Sequence, residues 1–146
     1  MNRPIAIEEV QKLLLHHPYH RWLGLRVLAL DDDAIEIKAA WREDWAADVE
    51  RRLTHGGVLA SLVDIAADWS MVRRVHGPVL TIDLRVDYHA AALPGDLVAR
   101  GRLIKWGTRF ASAEAQVFNL DGKLLASGRG TFFTGPAPRG GDRQQA

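Results

Sequence analysis

The 146 residues carry 19 Lys and Arg against 18 Asp and Glu, a net charge of +1, with 47% hydrophobic and 25% charged residues. A chain of this size holds one domain and one core, and its near-neutral balance excludes a strong field recruiting nucleic acid or a membrane surface. The absence of cysteine excludes disulfides, thiolate metal sites and a cysteine nucleophile.

In chain order, residues 5–17 place Ile7, Val10, Leu13 and Leu14 near helical spacing, with Glu8 and Glu9 in the first turn and Pro18 as the stop. Glu8 and Glu9 stand where a secretory leader would be apolar, and no run reaches the length of a membrane span, so a soluble cytoplasmic protein is expected. His16, His17 and His20 lack a fourth ligand at a useful spacing; they read as a surface turn, and no metal is expected. Strands are expected over 25–30 and 35–39, joined through a solvated turn at Asp31, Asp32 and Asp33. Residues 41–53 are irregular and charged and read as a loop with a helical turn, of a length that is often functional.

The segment from Thr54 to Met71 is the centre of the chain. It opens with His55-Gly56-Gly57 and then runs almost wholly apolar, so a helix over 56–75, roughly 30 Å long, is expected to be buried on most sides. Asp64 interrupts that run, and Asp68 follows one turn later on the same face. A carboxylate there is costly unless it is paired, hydrogen-bonded or kept at a working site. Asp68 has solvent, Arg73 or Arg85 as outlets, or a proton shared with Asp64.

His76-Gly77-Pro78 ends the helix. Residues 79–88 alternate, with Leu80, Ile82, Leu84, Val86 and Tyr88 on one side and Thr81, Asp83, Arg85 and Asp87 on the other. Further strands are expected over 97–105, 110–119 and 123–133, with Asp121-Gly122 as the hairpin turn, so that four strands after the helix form a meander. The N-terminal helix and turn occupy 1–20, the main domain 21–134, and a Gly/Pro-rich tail at 135–146 is expected to be disordered. The fold class is α+β: a curved antiparallel sheet of about six strands wrapped around one long central helix.

This pattern resembles the hot-dog fold, and within it the PaaI-type acyl-CoA thioesterases, relatives of 4-hydroxybenzoyl-CoA thioesterase. The matching residues are His55-Gly56-Gly57, then Leu62-Val63-Asp64, with the acid nine positions after the histidine. Thr81-Ile82-Asp83-Leu84 with Asp87-Tyr88, Pro94-Gly95-Asp96, Gly107-Thr108-Arg109, Asp121-Gly122-Lys123-Leu124 and Gly128-Arg129-Gly130 complete it over residues 22–134. The resemblance implies hydrolysis of a coenzyme A thioester with an aromatic or medium-chain acyl group. No cofactor is implied beyond the coenzyme A of the substrate.

Carried over residue by residue, Asp64 activates water or attacks the thioester, the Gly56 N–H is the oxyanion donor, Gly57 completes the turn and His55 positions the loop or the carbonyl. Thr81 matches a hydroxyl position near the catalytic water. Arg109 is the preferred candidate for coenzyme A phosphates, among Arg100, Arg102, Lys105 and Arg129 as well, and Trp41 and Trp45 are candidate acyl-pocket walls. The sequence departs from the pattern at Val49, where many relatives have asparagine, leaving Asp48 and Glu50 as candidate replacements. It departs again at Asp68, where relatives carry a small residue or threonine, and this places Asp48 and Asp68 among the candidate substrate-binding residues.

Gly56 and Asp64 lie eight residues apart on one helix, roughly 12 Å, which is too far for both to reach one carbonyl. A second, antiparallel copy would bring Asp64 of one chain beside Gly56 of the other, so a homodimer at least, extending to a homotetramer, is expected. Two other readings stand beside hydrolysis: a non-catalytic acyl-CoA-binding hot-dog protein, and a hot-dog hydratase acting on enoyl or hydroxyacyl thioesters. No DNA-binding segment is evident.

Overall fold

A computed structural model describes residues 3–136. Helix α1 (Ile7–His16) is followed by the short α2 (Pro18–Trp22), strands β1 (Leu25–Leu30) and β2 (Ala34–Ala39), and a 3-10 turn at Glu43–Trp45. The central helix α3 (Gly56–Trp69) and the short α4 (Val72–Val75) lead into β3 (Leu80–Tyr88), β4 (Leu97–Lys105), β5 (Phe110–Asn119) and β6 (Leu124–Phe133). The six strands form one antiparallel sheet in the order β1-β2-β4-β5-β6-β3. This is the α+β hot-dog architecture expected from the sequence. The disordered tail expected at 135–146 lies almost wholly outside the described residues.

Three expectations are corrected. Pro18 does end α1, but it also starts α2, because a proline at the first helical position loses no needed hydrogen bond. His17 and His20 consequently do not sit in a surface turn: their rings pack edge-on against Trp69 at 6.1 and 5.9 Å. The four later strands are not a simple meander either. Strands β4, β5 and β6 are neighbours in sequence order, whereas β3 crosses to the far edge and pairs with β6. The central helix also ends early, at Trp69 rather than near residue 75. Ser70 donates to the Ala67 carbonyl at 2.7 Å, α4 follows as a separate turn, and His76 closes it in the left-handed region at φ 55°.

Helix α3 buries Val58, Leu59, Leu62, Val63, Ile65, Ala66, Ala67 and Trp69 against the sheet. The approach to β4 is very close: a Cβ at Gly101 would overlap the Ala66 carbonyl, so only glycine admits the helix there. Besides Gly56 and Ala60, what α3 keeps out of the core is a narrow stripe at helical spacing, Gly57, Ser61, Asp64 and Asp68. The stripe is met by α2 and by the start of β3. The Tyr19 and Ser61 hydroxyls share a hydrogen bond of 2.7 Å, and the other two contacts involve the acids.

Candidate active site

The site begins with the turn into α3. Its backbone is anchored on both sides, the Thr54 N–H donating to the Ala92 carbonyl at 2.9 Å and the His55 N–H to the Trp45 carbonyl at 2.7 Å. His55 is the N-cap, and its Nδ1 accepts the Gly57 N–H at 2.8 Å. That bond consumes the Gly57 amide and leaves the Gly56 N–H without an acceptor among the described residues. A free amide at the positive end of a 14-residue helix is a ready donor to an oxygen that becomes negative. Tyr88 closes this corner: its hydroxyl donates to the Gly56 carbonyl at 2.9 Å, and a Cβ at Gly56 would stand 3.3 Å from its ring. A groove of about 450 Å³, lined by Gly56, Leu59, Tyr88 and the alanines at 90–92, opens beside it.

The acid end lies two turns further along α3. Thr81 Oγ1 donates to Asp64 Oδ1 at 2.8 Å, and the second oxygen of Asp64 has no partner among the described residues. A carboxylate held by one oxygen and open at the other can accept a proton from water or attack an electrophilic carbon. Thr81 reaches Asp64 because β3 bulges. The register with β6 shifts between Thr81 and Asp83, and the alternation expected over Leu80–Tyr88 breaks there. Leu80 and Ile82 are left 60% and 57% exposed, while Leu84 and Val86 pack on the core.

Asp68 is half-buried and takes neither arginine as a partner. Arg73 pairs with Asp32 at 3.0 Å and Arg85 with Asp87 at 3.3 Å, while Asp68 Oδ1 accepts the Val79 N–H at 3.0 Å. Burial pushes the Asp68 carboxyl up to about 7, with the negative charge of Asp64 adding to the rise and the Val79 N–H opposing it. His20, whose Nδ1 lies 2.8 Å from the Leu14 carbonyl, is drawn below its ordinary value by burial, and the charge of Asp64 partly offsets this.

The remaining candidates are scattered. Asp48 lies exposed in the turn before α3, where its carboxylate accepts the Arg51 N–H, and Val49 beside it is 93% exposed. Arg109 has no ion-pair partner among the described residues and lies over the Phe110 ring at 5.9 Å, whereas Arg100 and Arg102 are engaged by Glu36 and Glu114. Trp45 is fully buried with Trp41 edge-on against it at 5.8 Å, so Trp45 is core and not a pocket wall. Tyr88 was legible as the last apolar position of a strand and as part of the Asp87-Tyr88 match, whereas its bond to Gly56, 32 residues away, was not. No metal-ligating group of three His, Cys, Asp or Glu exists among the described residues. No helix of those residues is long and apolar enough to cross a membrane.

The helix N-terminal turn, the acid on α3 and the curved sheet around it define a thioesterase-type hot-dog protein. The thioesterase superfamily profile matches residues 53–126, and the chain belongs to that superfamily and is a thioester hydrolase by class. A solved protein of the thioesterase superfamily is 43% identical, covers 87% of this chain and 96% of its own, and superposes with a TM-score of 0.84. A mutant of the phenylacetic acid degradation protein PaaI from Thermus thermophilus is 30% identical over 80% of this chain and 98% of its own, with a TM-score of 0.70. The medium/long-chain acyl-CoA thioesterase YigI of Salmonella typhimurium is 26% identical, over 89% of this chain and 94% of its own length.

Proposed function

We propose that this chain hydrolyses acyl-CoA thioesters with aromatic or medium-chain acyl groups, at two sites shared between the subunits of a homodimer. The observation that carries the reading is the division of the chemistry along α3. Asp64 is held by Thr81 with one oxygen open, and the free Gly56 N–H stands eight residues, roughly 12 Å, away. One copy cannot bring both to a single carbonyl, and two antiparallel copies of α3 can. The edge strand β3 offers the contact: its outer side is unpaired among the described residues, and Leu80 and Ile82 are exposed on it. The names of the relatives support the substrate class, since YigI is an acyl-CoA thioesterase for medium and long chains and PaaI belongs to phenylacetic acid degradation.

In the reaction, water adds to the thioester carbon while Asp64 takes its proton. The carbonyl oxygen becomes an oxyanion facing the Gly56 N–H of a second copy, at the positive end of that helix. Collapse of the intermediate breaks the C–S bond. Coenzyme A leaves as a thiolate and recovers the proton from Asp64, so the products are a carboxylic acid and a thiol. Direct attack by Asp64 through an anhydride uses the same groups. Thr81 orients the carboxylate, and His55 shapes the oxyanion turn by holding the Gly57 amide, which argues against its serving as the base a hydratase needs. Arg109, which like Lys105 and Arg129 has no ion pair among the described residues, is the preferred cation for the coenzyme A phosphates, and Asp48 borders the loop before the oxyanion turn.

The test is thiol release from phenylacetyl-, hydroxybenzoyl-, hexanoyl- and decanoyl-CoA by the wild type and by Asp64→Asn. Turnover of at least one ester is expected, reduced by roughly a hundredfold or more in a variant that keeps its fold. Tight binding of the esters without thiol release would replace the enzyme with an acyl-CoA-binding protein.

A further inference from the structure

Asp68 has no part in the reaction as written, yet a half-buried acid one turn from the catalytic carboxylate is costly to keep. Its single side-chain hydrogen bond among the described residues explains it. After α3 the chain runs through α4, the left-handed His76 and Gly77-Pro78 before it re-enters the sheet as β3. Among the described residues β3 lies at the sheet edge with only β6 beside it, and the first residue of its ladder is Leu80, paired with Phe133. Val79, immediately before that ladder, gives its N–H to Asp68 Oδ1 at 3.0 Å. Two residues further on, Thr81 gives its hydroxyl to Asp64 at 2.8 Å.

The two contacts have matching spacings. Asp64 and Asp68 are four residues apart on a helix, about 6 Å of rise. Thr81 and Val79 are two residues apart on an extended strand, about 6.6 Å. Helix and strand run antiparallel here, the later acid meeting the earlier strand residue, so both bonds form side by side as two rungs. The bulge between Thr81 and Asp83 is what lets Thr81 face the helix, and a bulged edge strand is where a ladder is weakest.

We propose that Asp68 is a positioning residue for the hydrolysis: by accepting the Val79 N–H it fixes the root of β3, and through it the Thr81 hydroxyl that orients Asp64. This rests on the thioesterase reading above and adds to it the role of a residue that the family pattern leaves unexplained. The rung needs an acceptor of carboxylate length and not a charge, so asparagine serves and alanine does not.

The experiment uses the full chain with Asp68→Asn, Asp68→Ala, Thr81→Ala and the Asp68→Ala/Thr81→Ala pair, measuring kcat and KM for thiol release and amide hydrogen exchange at residues 79–81. Asp68→Asn is expected to stay within about threefold of wild-type kcat, and Asp68→Ala to lose about tenfold in kcat with KM little changed. In the Thr81→Ala background the further loss from Asp68→Ala should shrink below about threefold, since the group it positions is gone. Exchange at Val79 should quicken in Asp68→Ala and not in Asp68→Asn. An equal loss in both backgrounds, or unaltered exchange at Val79 in the alanine variant, overturns the proposal. If the wild type releases no thiol, the thioesterase reading fails separately, and exchange alone then decides whether Asp68 holds the strand. Asp68→Ser, polar but too short to reach the amide, repeats the test should the alanine variant not fold.

Discussion

The two edges of the sheet are treated in opposite ways. At the β1 edge, α1 lies alongside the strand and Gln11 takes over the missing neighbour: its Nε2 donates to the Leu25 carbonyl at 3.0 Å and its Oε1 accepts the Val27 N–H at 2.7 Å. That edge is closed by the chain itself, in the way proteins blunt strands that would otherwise recruit a partner. The β3 edge carries no such cover among the described residues, and Leu80, Ile82 and Tyr88 stand exposed along it at 60%, 57% and 55%. The open edge also touches both halves of the candidate site, through Thr81 to Asp64 and through Tyr88 to Gly56. The proposed dimer would place assembly and catalysis on the same strand, the one the chain leaves bare.

The largest expected effect breaks the open edge. Leu80→Lys/Ile82→Lys should give a monomer by size-exclusion chromatography with light scattering, with thiol release down roughly a hundredfold or more because no carbonyl meets both acid and amide. Leu28→Lys, on β1 at the closed edge, should change neither. An active monomer would remove the shared-site reading, and an active, dimeric double-lysine variant would move the dimer contact away from β3.

A smaller effect concerns the root of that edge. The Asp68 carboxyl titrates near 7 in the folded chain, against about 3.9 in an unfolded one. The folded state therefore binds the extra proton, and the contribution of Asp68 to stability is full below about pH 4 and lost as pH rises through 7. The difference amounts to at most about 4 kcal/mol. Urea unfolding from pH 4 to pH 8 should show this fall in the wild type and a flatter profile in Asp68→Asn, with the variant the more stable of the two at pH 8. Identical slopes would mean that Asp68 does not titrate in this range.

The smallest change opens the closed edge. Gln11→Ala leaves the Leu25 carbonyl and the Val27 N–H without their partner and should cost about 1–3 kcal/mol in urea unfolding, with thiol release per folded molecule unaltered. A loss of activity as large as that from the β3 variant would erase the distinction between the edges.

Much of this protein is local, and the sequence by itself determined that part. All six strands lie within a residue of their expected bounds, because alternation of apolar and polar residues and turn chemistry such as Asp121-Gly122 act over a few positions. The start of α3 and the place of Asp64 on it follow in the same way from His55-Gly56-Gly57 and the apolar run behind them. Tertiary structure alone decided the rest. The crossing of β3 to the far edge and the bulge that turns Thr81 toward Asp64 depend on β6, which follows β3 only after two other strands. The bonds from Val79 to Asp68, Thr81 to Asp64 and Tyr88 to Gly56 join residues 11, 17 and 32 positions apart. The end of α3 at Trp69 belongs with them, since no proline or glycine marks it and the chain has to turn there to reach the sheet edge. A pattern of period two says that a strand has two faces. Which residue is bulged out of it is settled by the neighbouring strand, through hydrogen bonds that no local propensity encodes.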